Sequence, residues 1–119
     1  MARVALLCAD LLFGSKVEGA LAFDNELKRF ATVDAAIASQ DVFDVLVVDL
    51  TDPVLDGVGA MELMRERQAM DGVATLGFYS HVDQDTRTRA QAAGFDRVVP
   101  RSRMAREAAA LVAALAAPS

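Results

Sequence analysis

Three short stretches of this chain are apolar almost without interruption: Val4–Cys8, Val45–Leu50 and Val73–Tyr79. A strand with one face in water alternates apolar and polar residues. A strand buried on both faces reads as a continuous apolar run, and such strands belong to parallel sheets covered by helices above and below. Two weaker runs, roughly Leu27–Ala31 and Val98–Val99, bring the set to five. Helix signals fill the gaps. Asp56-Gly57 opens a segment in which Val58, Met61, Leu63 and Met64 stand among Glu and Arg, ending near Asp71-Gly72. Asp83 is placed to cap a helix through Ala93, with Gly94 as its C′ residue. From about Ser102, Met104, Ala108, Leu111, Val112 and Leu115 recur at helical spacing. Segments 14–22 and 33–40 supply the first two helices, and Gly14-Ser15-Lys16 reads as an ordinary N-cap. The pattern predicts an α/β fold of five strand–helix repeats, (βα)5. It is a doubly wound, five-stranded parallel sheet with right-handed crossovers.

At 119 residues the chain is expected to form a single domain, 1–119, with a hydrophobic core that needs no disulfide or structural metal. The lone cysteine, Cys8, excludes an intrachain disulfide, and without a Cys/His cluster nothing points to zinc. No apolar run reaches bilayer length. The opening MARVALLCADLL is broken by Asp10 and reads as a buried first strand rather than a signal peptide, so the expectation is a reduced, cytoplasmic protein without a membrane partner. A net charge of −5 argues against nucleic acid. The charge is uneven: residues 1–86 carry 15 acids and 6 bases, while residues 87–119 carry 2 acids and 6 bases. That asymmetry can steer an acidic partner, and it is equally what solvated helix faces look like.

Ligands of open parallel sheets sit in the crevice at the carboxyl ends of the strands. The residues to interrogate are therefore Cys8-Ala9-Asp10, Asp49, Tyr79-Ser80-His81 and Pro100-Arg101-Ser102. Asp49 stands out, because a carboxylate leaving a greasy strand is partly desolvated and well placed for chemistry or ion binding. Its surroundings, Asp49-Leu50-Thr51-Asp52-Pro53-Val54-Leu55-Asp56-Gly57, resemble the Asp-hydrophobic-x-x-Pro-x-x-Asp-Gly stretch of two-component receiver domains, the CheY-like family. Arg89-Ala90-Gln91-Ala92-Ala93-Gly94-Phe95-Asp96 resembles that family's Ala-x-x-Ala-Gly-Ala-Asp helix end, and Arg101 falls where it keeps a lysine. The resemblance runs from Asp44 to the C-terminus and by strand order before that. It implies a flavodoxin-like sheet of order 2-1-3-4-5, with Asp49 as phosphoacceptor and Pro53 shaping the loop.

Several residues depart from the family pattern. Receiver phosphotransfer uses a divalent cation held by an acidic pair after the first strand. Cys8 and Ala9 occupy those places here. Asp10 and Asp52 lie one residue off and are the candidates to replace them, making Asp49 and Asp10 the candidate magnesium ligands. The family's Thr or Ser after strand four aligns with Tyr79. Ser80 follows, and strand alternation denies it the role unless the strand end twists or bulges. Arg101 is cationic but planar and forked. The switch aromatic aligns with Val98, and the usual proline after the lysine is Ser102. The resemblance is thus to an atypical, degenerate receiver.

Three readings follow. The first is a stand-alone receiver-like signalling module, not an enzyme and with no cofactor beyond weakly bound magnesium. It docks a protein partner, or itself, through helix 4, strand 5 and helix 5, using Arg87, Arg89, Arg97, Arg103 and Arg106, and Arg101 forks onto the Asp49 carboxylate. The second has a histidine kinase phosphorylate Asp49. The third is a small-anion-binding flavodoxin-like protein or a Cys8-dependent enzyme. Cys8, five residues and Gly14-Ser15 have the loop length of a low-molecular-weight tyrosine phosphatase, but its arginine is a glycine here. A buried structural cysteine is the simpler account. His81 is the single histidine and completes no triad.

Overall fold

A computed structural model of the chain describes residues 2–39, 42–52, 55–67, 72–80 and 84–116. In chain order the elements are β1 (Arg3–Leu7), α1 (Leu11–Leu21), β2 (Glu26–Phe30), α2 (Val33–Ser39), β3 (Val45–Asp49), α3 (Gly57–Arg67), β4 (Ala74–Tyr79), α4 (Gln84–Ala92), β5 (Arg97–Pro100) and α5 (Arg101–Ala116). All strand pairs are parallel, and the sheet runs β2-β1-β3-β4-β5. The expected (βα)5 architecture and strand order are both present.

The uninterrupted apolar runs have the cause inferred from sequence. Alternate residues of the central strands serve opposite layers. Val4, Leu6, Cys8, Val45, Val47, Leu76 and Phe78 pack against Val17 and Leu21 of α1 and Met104, Ala108, Leu111 and Val112 of α5. Ala5, Leu7, Leu46, Val48, Leu50 and Tyr79 pack against Ala36, Val58, Met61, Met64, Ala90 and Phe95 on the α2–α3–α4 side. The edge strand β2 is only partly buried, with Leu27 packed against one layer and Phe30 against the other. One polar side chain, Thr75, sits inside β4. It is satisfied by Asp96, whose carboxylate accepts from the Thr75 amide at 2.8 Å and hydroxyl at 3.2 Å.

The element ends carry the detail that matters for the site. Gly94 takes φ +93°, as its C′ placement requires. The Phe95 amide reaches the Ala90 carbonyl at 3.3 Å and the Gly94 amide reaches Gln91 at 3.2 Å, the paired bonds of a Schellman stop. Asp83 lies outside the described residues, as do Pro53, Asp71 and His81. The N-cap read at Gly14-Ser15-Lys16 is corrected: α1 starts at Leu11, capped by Asp10, whose Oδ1 accepts from the Phe13 amide at 3.0 Å. A carboxylate satisfies an orphan first-turn amide directly, so the helix nucleates on it ahead of the glycine. The last helix is interrupted at Glu107, where φ −126° and ψ 18° depart from helical values.

Candidate functional site

Four strand and helix ends meet at the carboxyl edge of the sheet. They form an open crevice of about 450 Å³ lined by Asp10, Asp49, Thr51, Asp52, Ser80 and Arg101. β3 delivers Asp49 to its floor, where the residue is 1% exposed. The carboxylate is not left bare. Oδ1 accepts from the Thr51 amide at 2.9 Å and from the Thr51 hydroxyl at 2.8 Å, closing a tight local turn. Oδ2 faces the Cys8 thiol at 3.6 Å and a guanidinium nitrogen of Arg101 at 3.9 Å. The space beneath is fixed by Gly57, where a Cβ would stand 2.6 Å from the Asp49 carbonyl oxygen and 2.8 Å from Val48 Cγ1.

Arg101 opens α5 directly after β5 and reaches into the crevice. Its shortest contact is with Asp10, at 2.6 Å between Nη2 and Oδ2. The guanidinium lies 4.2 Å above the Phe13 ring centroid, and that ring leans on Phe78 of the core at 5.2 Å. This corrects the expectation that Arg101 forks onto Asp49. The Asp10 carboxylate stands at the crevice mouth, where an incoming guanidinium meets it first. Asp49, deeper and already holding two Thr51 donors, receives only the longer contact. The Asp10 carboxyl is held below its ordinary value, first by the Phe13 amide and then by Arg101.

Cys8 is fully buried, and its thiol is pushed up to about 11, chiefly by burial and next by the Asp49 charge. A covered thiol that keeps its proton at neutral pH is a poor nucleophile, so the geometry offers no support for Cys8-dependent catalysis.

Tyr79 and Ser80 part company. Tyr79 is buried in the α2–α3–α4 layer, whereas Ser80 lines the crevice. Both were expected in the pocket, with strand alternation denying Ser80 the phosphoryl-contacting role unless the strand end twists or bulges; Ser80 is there and Tyr79 is not. β4 ends at Tyr79 and Ser80 belongs to the loop, where alternation no longer applies. Asp52 is on the rim, with its carboxylate accepting from the Leu55 amide at 3.3 Å.

Thr51, Phe13 and Arg29 were missed by sequence reasoning. An Asp-x-Thr turn is a recognisable local signal for Thr51. Arg29 of β2 donates to the Asp10 carbonyl at 2.7 Å and to Ser15 Oγ at 3.3 Å, and no spacing in the chain announces those contacts.

The magnesium ion that the family resemblance implies does not fit the donors present. Among the described residues no three His, Cys, Asp or Glu side chains are arranged to hold a metal. Cys8 and Ala9 stand where two carboxylates are needed, and Arg101 sits between Asp10 and Asp49 at distances a cation would have to take over. On the other surface, Arg87, Arg89, Arg97 and Arg106 are exposed and Arg103 is half-buried. Arg89 pairs with Asp56 at 3.6 Å, and Arg103 and Arg106 both approach Glu107, at 3.3 and 3.8 Å.

No protein-family model matches the sequence, and no curated protein matches it. Solved structures do. The BeF3-activated DrrB receiver domain shares a TM-score of 0.83 at 20% identity, covering 97% of each chain. A CheY-like receiver domain protein from Methanospirillum hungatei gives 0.82 at 16% identity, covering 98% of this chain and 94% of that one. The receiver domain of the Francisella response regulator 1452 gives 0.80 at 14%, over 98% and 97%. Against the longer DrrB chain from Thermotoga maritima the likeness spans 51% of that chain. The fold is that of response-regulator receiver domains. No helix among the described residues is long and apolar enough to cross a membrane.

Proposed function

We propose that this receiver-fold chain is a signalling module that acts by docking another protein, or a second copy of itself, through α4, β5 and α5, with metal-dependent phosphoryl transfer to Asp49 impaired. The observation that carries the reading is the seat of Arg101. With its guanidinium 2.6 Å from Asp10 and 3.9 Å from Asp49, the crevice has a fixed cation where the receiver reaction needs an exchangeable one. A phosphoryl group entering there would also have to displace the Thr51 bonds to Asp49. The exposed arginines support a docking role, because Arg87 and Arg97 have no ion pair among the described residues and a cationic surface steers an acidic partner. The test is the intact mass of the protein after incubation with magnesium and acetyl phosphate. No phosphoryl adduct is expected. An adduct that disappears in Asp49→Asn overturns the reading in favour of a phospho-accepting regulator served by a histidine kinase.

A further inference from the structure

The two edges of the sheet are finished differently. β5 is four residues long and ends in Pro100, which has no N–H to offer a further strand. β2, at the other edge, runs for five residues without a proline. Its bonds to β1 fix which way its backbone faces. The Glu26 amide donates to the Ala2 carbonyl at 2.9 Å, and the Phe30 carbonyl accepts from the Cys8 amide at 3.0 Å. Glu26, Lys28 and Phe30 therefore turn their backbone groups inward, and Leu27 and Arg29 turn theirs to the open edge. The side chains divide the same way. Leu27 and Arg29 align with Val4 and Leu6 on the α1–α5 side, while Lys28 and Phe30 align with Ala5 and Leu7 on the α2 side. Glu26, two residues from Lys28, shares that second face. Both charged residues are exposed. Beside the strand lies a groove of about 420 Å³, lined by Glu26, Leu27, Lys28, Val42 and Phe43, in which Val42 is 74% exposed.

We infer that β2 is a self-pairing edge: two copies of this chain join antiparallel through β2, about a two-fold axis at Leu27, so that their sheets become continuous. A second copy is the occupant because the strand is complementary to itself. With Leu27 against the partner's Leu27, the outward N–H and C=O groups of the pair exchange two hydrogen bonds. On the α2 face Glu26 then stands opposite the partner's Lys28, and Lys28 opposite the partner's Glu26. These are the close, non-hydrogen-bonded positions, where opposite charges stabilise and like charges repel. Moving the axis one residue either way sets Lys28 or Glu26 against its own copy, so charge selects the register. An edge lysine ordinarily deters pairing. Two residues from a glutamate on the same face, Lys28 instead admits this one partner. On the other face the leucines meet, and Arg29 is kept toward α1 by its 2.7 Å bond to the Asp10 carbonyl. β5 lies at the far edge of the sheet, so the dimer carries its two α4–β5–α5 faces at opposite ends, both free to dock.

The test is sedimentation velocity in an Arg103→Glu/Arg106→Glu background, which silences the α4–β5–α5 face. Larger species lost in that background belong to that face, and the dimer that remains is the β2 contact. Adding Glu26→Lys or Lys28→Glu makes both cross-strand pairs repulsive and should weaken the dimer about tenfold or more. An equal mixture of the two variants should dimerise again, because every pair then joins opposite charges. A background protein that stays monomeric up to millimolar concentration overturns the proposal. So do single variants that dimerise as the background does, or a mixture that stays monomeric while both components keep their circular dichroism. Should either variant fail to fold, amide exchange in the background protein decides. Protection of the Leu27 and Arg29 amides that grows with concentration supports the pairing, and its absence overturns it. A monomeric background protein that associates once Arg103 and Arg106 are restored overturns the β2 contact alone and leaves the docking reading intact.

Discussion

Around Asp10, Arg29 beside the crevice and Arg101 within it are half-buried, and each holds a fixed partner: the Asp10 carbonyl for Arg29, the Asp10 carboxylate and the Phe13 ring for Arg101. On the α4–β5–α5 face, Arg87, Arg97 and Arg106 stand in solvent, and the ion pairs there are those of Arg89 with Asp56 and the short-range contacts of Arg103 and Arg106 with Glu107. The same residue type does opposite work in the two places. A guanidinium partly withdrawn from water interacts strongly with whatever charge it meets and fixes a conformation. An exposed one is screened within about 10 Å at moderate ionic strength, contributes little to the fold and remains free to meet a partner. The comparison teaches that charge position, not charge count, separates the part of this chain that holds shape from the part suited to recognition.

The comparison can be tested hardest at the crevice floor. Gly57→Ala forces a methyl against the Asp49 carbonyl and Val48, backbone and core atoms that cannot give way cheaply, and it should destabilise by about 3 kcal/mol in urea unfolding. A near-neutral result would mean that the floor is softer than its contacts indicate. Next, Arg101→Ala should cost about 2 kcal/mol, since it strips the counter-charge from buried Asp49 and uncovers Phe13. Arg97→Ala on the exposed face should stay within about 0.5 kcal/mol. Equal losses would erase the distinction between the two regions.

The titrations sharpen the same contrast. Asp10, with its folded value below 3.8, contributes stability at any pH above that ordinary value and loses it only as pH falls through the lower folded one. The difference between wild type and Asp10→Asn should therefore persist through mild acid and close only below about pH 4. Cys8 works in the opposite direction. The unfolded chain gives up the thiol proton near 9.0 and the folded chain only at about 11, so stability should fall as pH rises across that interval. Cys8→Ala should flatten the melting profile there. The smallest effect on stability, within about 0.5 kcal/mol, is expected for Arg103→Glu with Arg106→Glu. That double variant should nevertheless impair association measured by light scattering, and wild-type association should weaken with added salt. Unchanged association in the variant would remove the docking role from this face.

The sequence alone determined the architecture, because a strand buried on both sides must be apolar at every position, and that signature is local. It placed Asp49 at a strand end for the same reason, and Gly94 at a helix stop because the backbone there needs a positive φ. Only the tertiary structure decided which charges meet. Arg101 and Asp10 are 91 residues apart, and Arg29 reaches Asp10 from a neighbouring strand across 19. No periodicity links such positions. The choice between Asp10 and Asp49 as the partner of Arg101 turned on which carboxylate stands at the crevice mouth and which already holds other donors. Ser80 entered the crevice because β4 ends one residue before it. Local pattern sets what each segment must be, and the packing of segments sets where their side chains point.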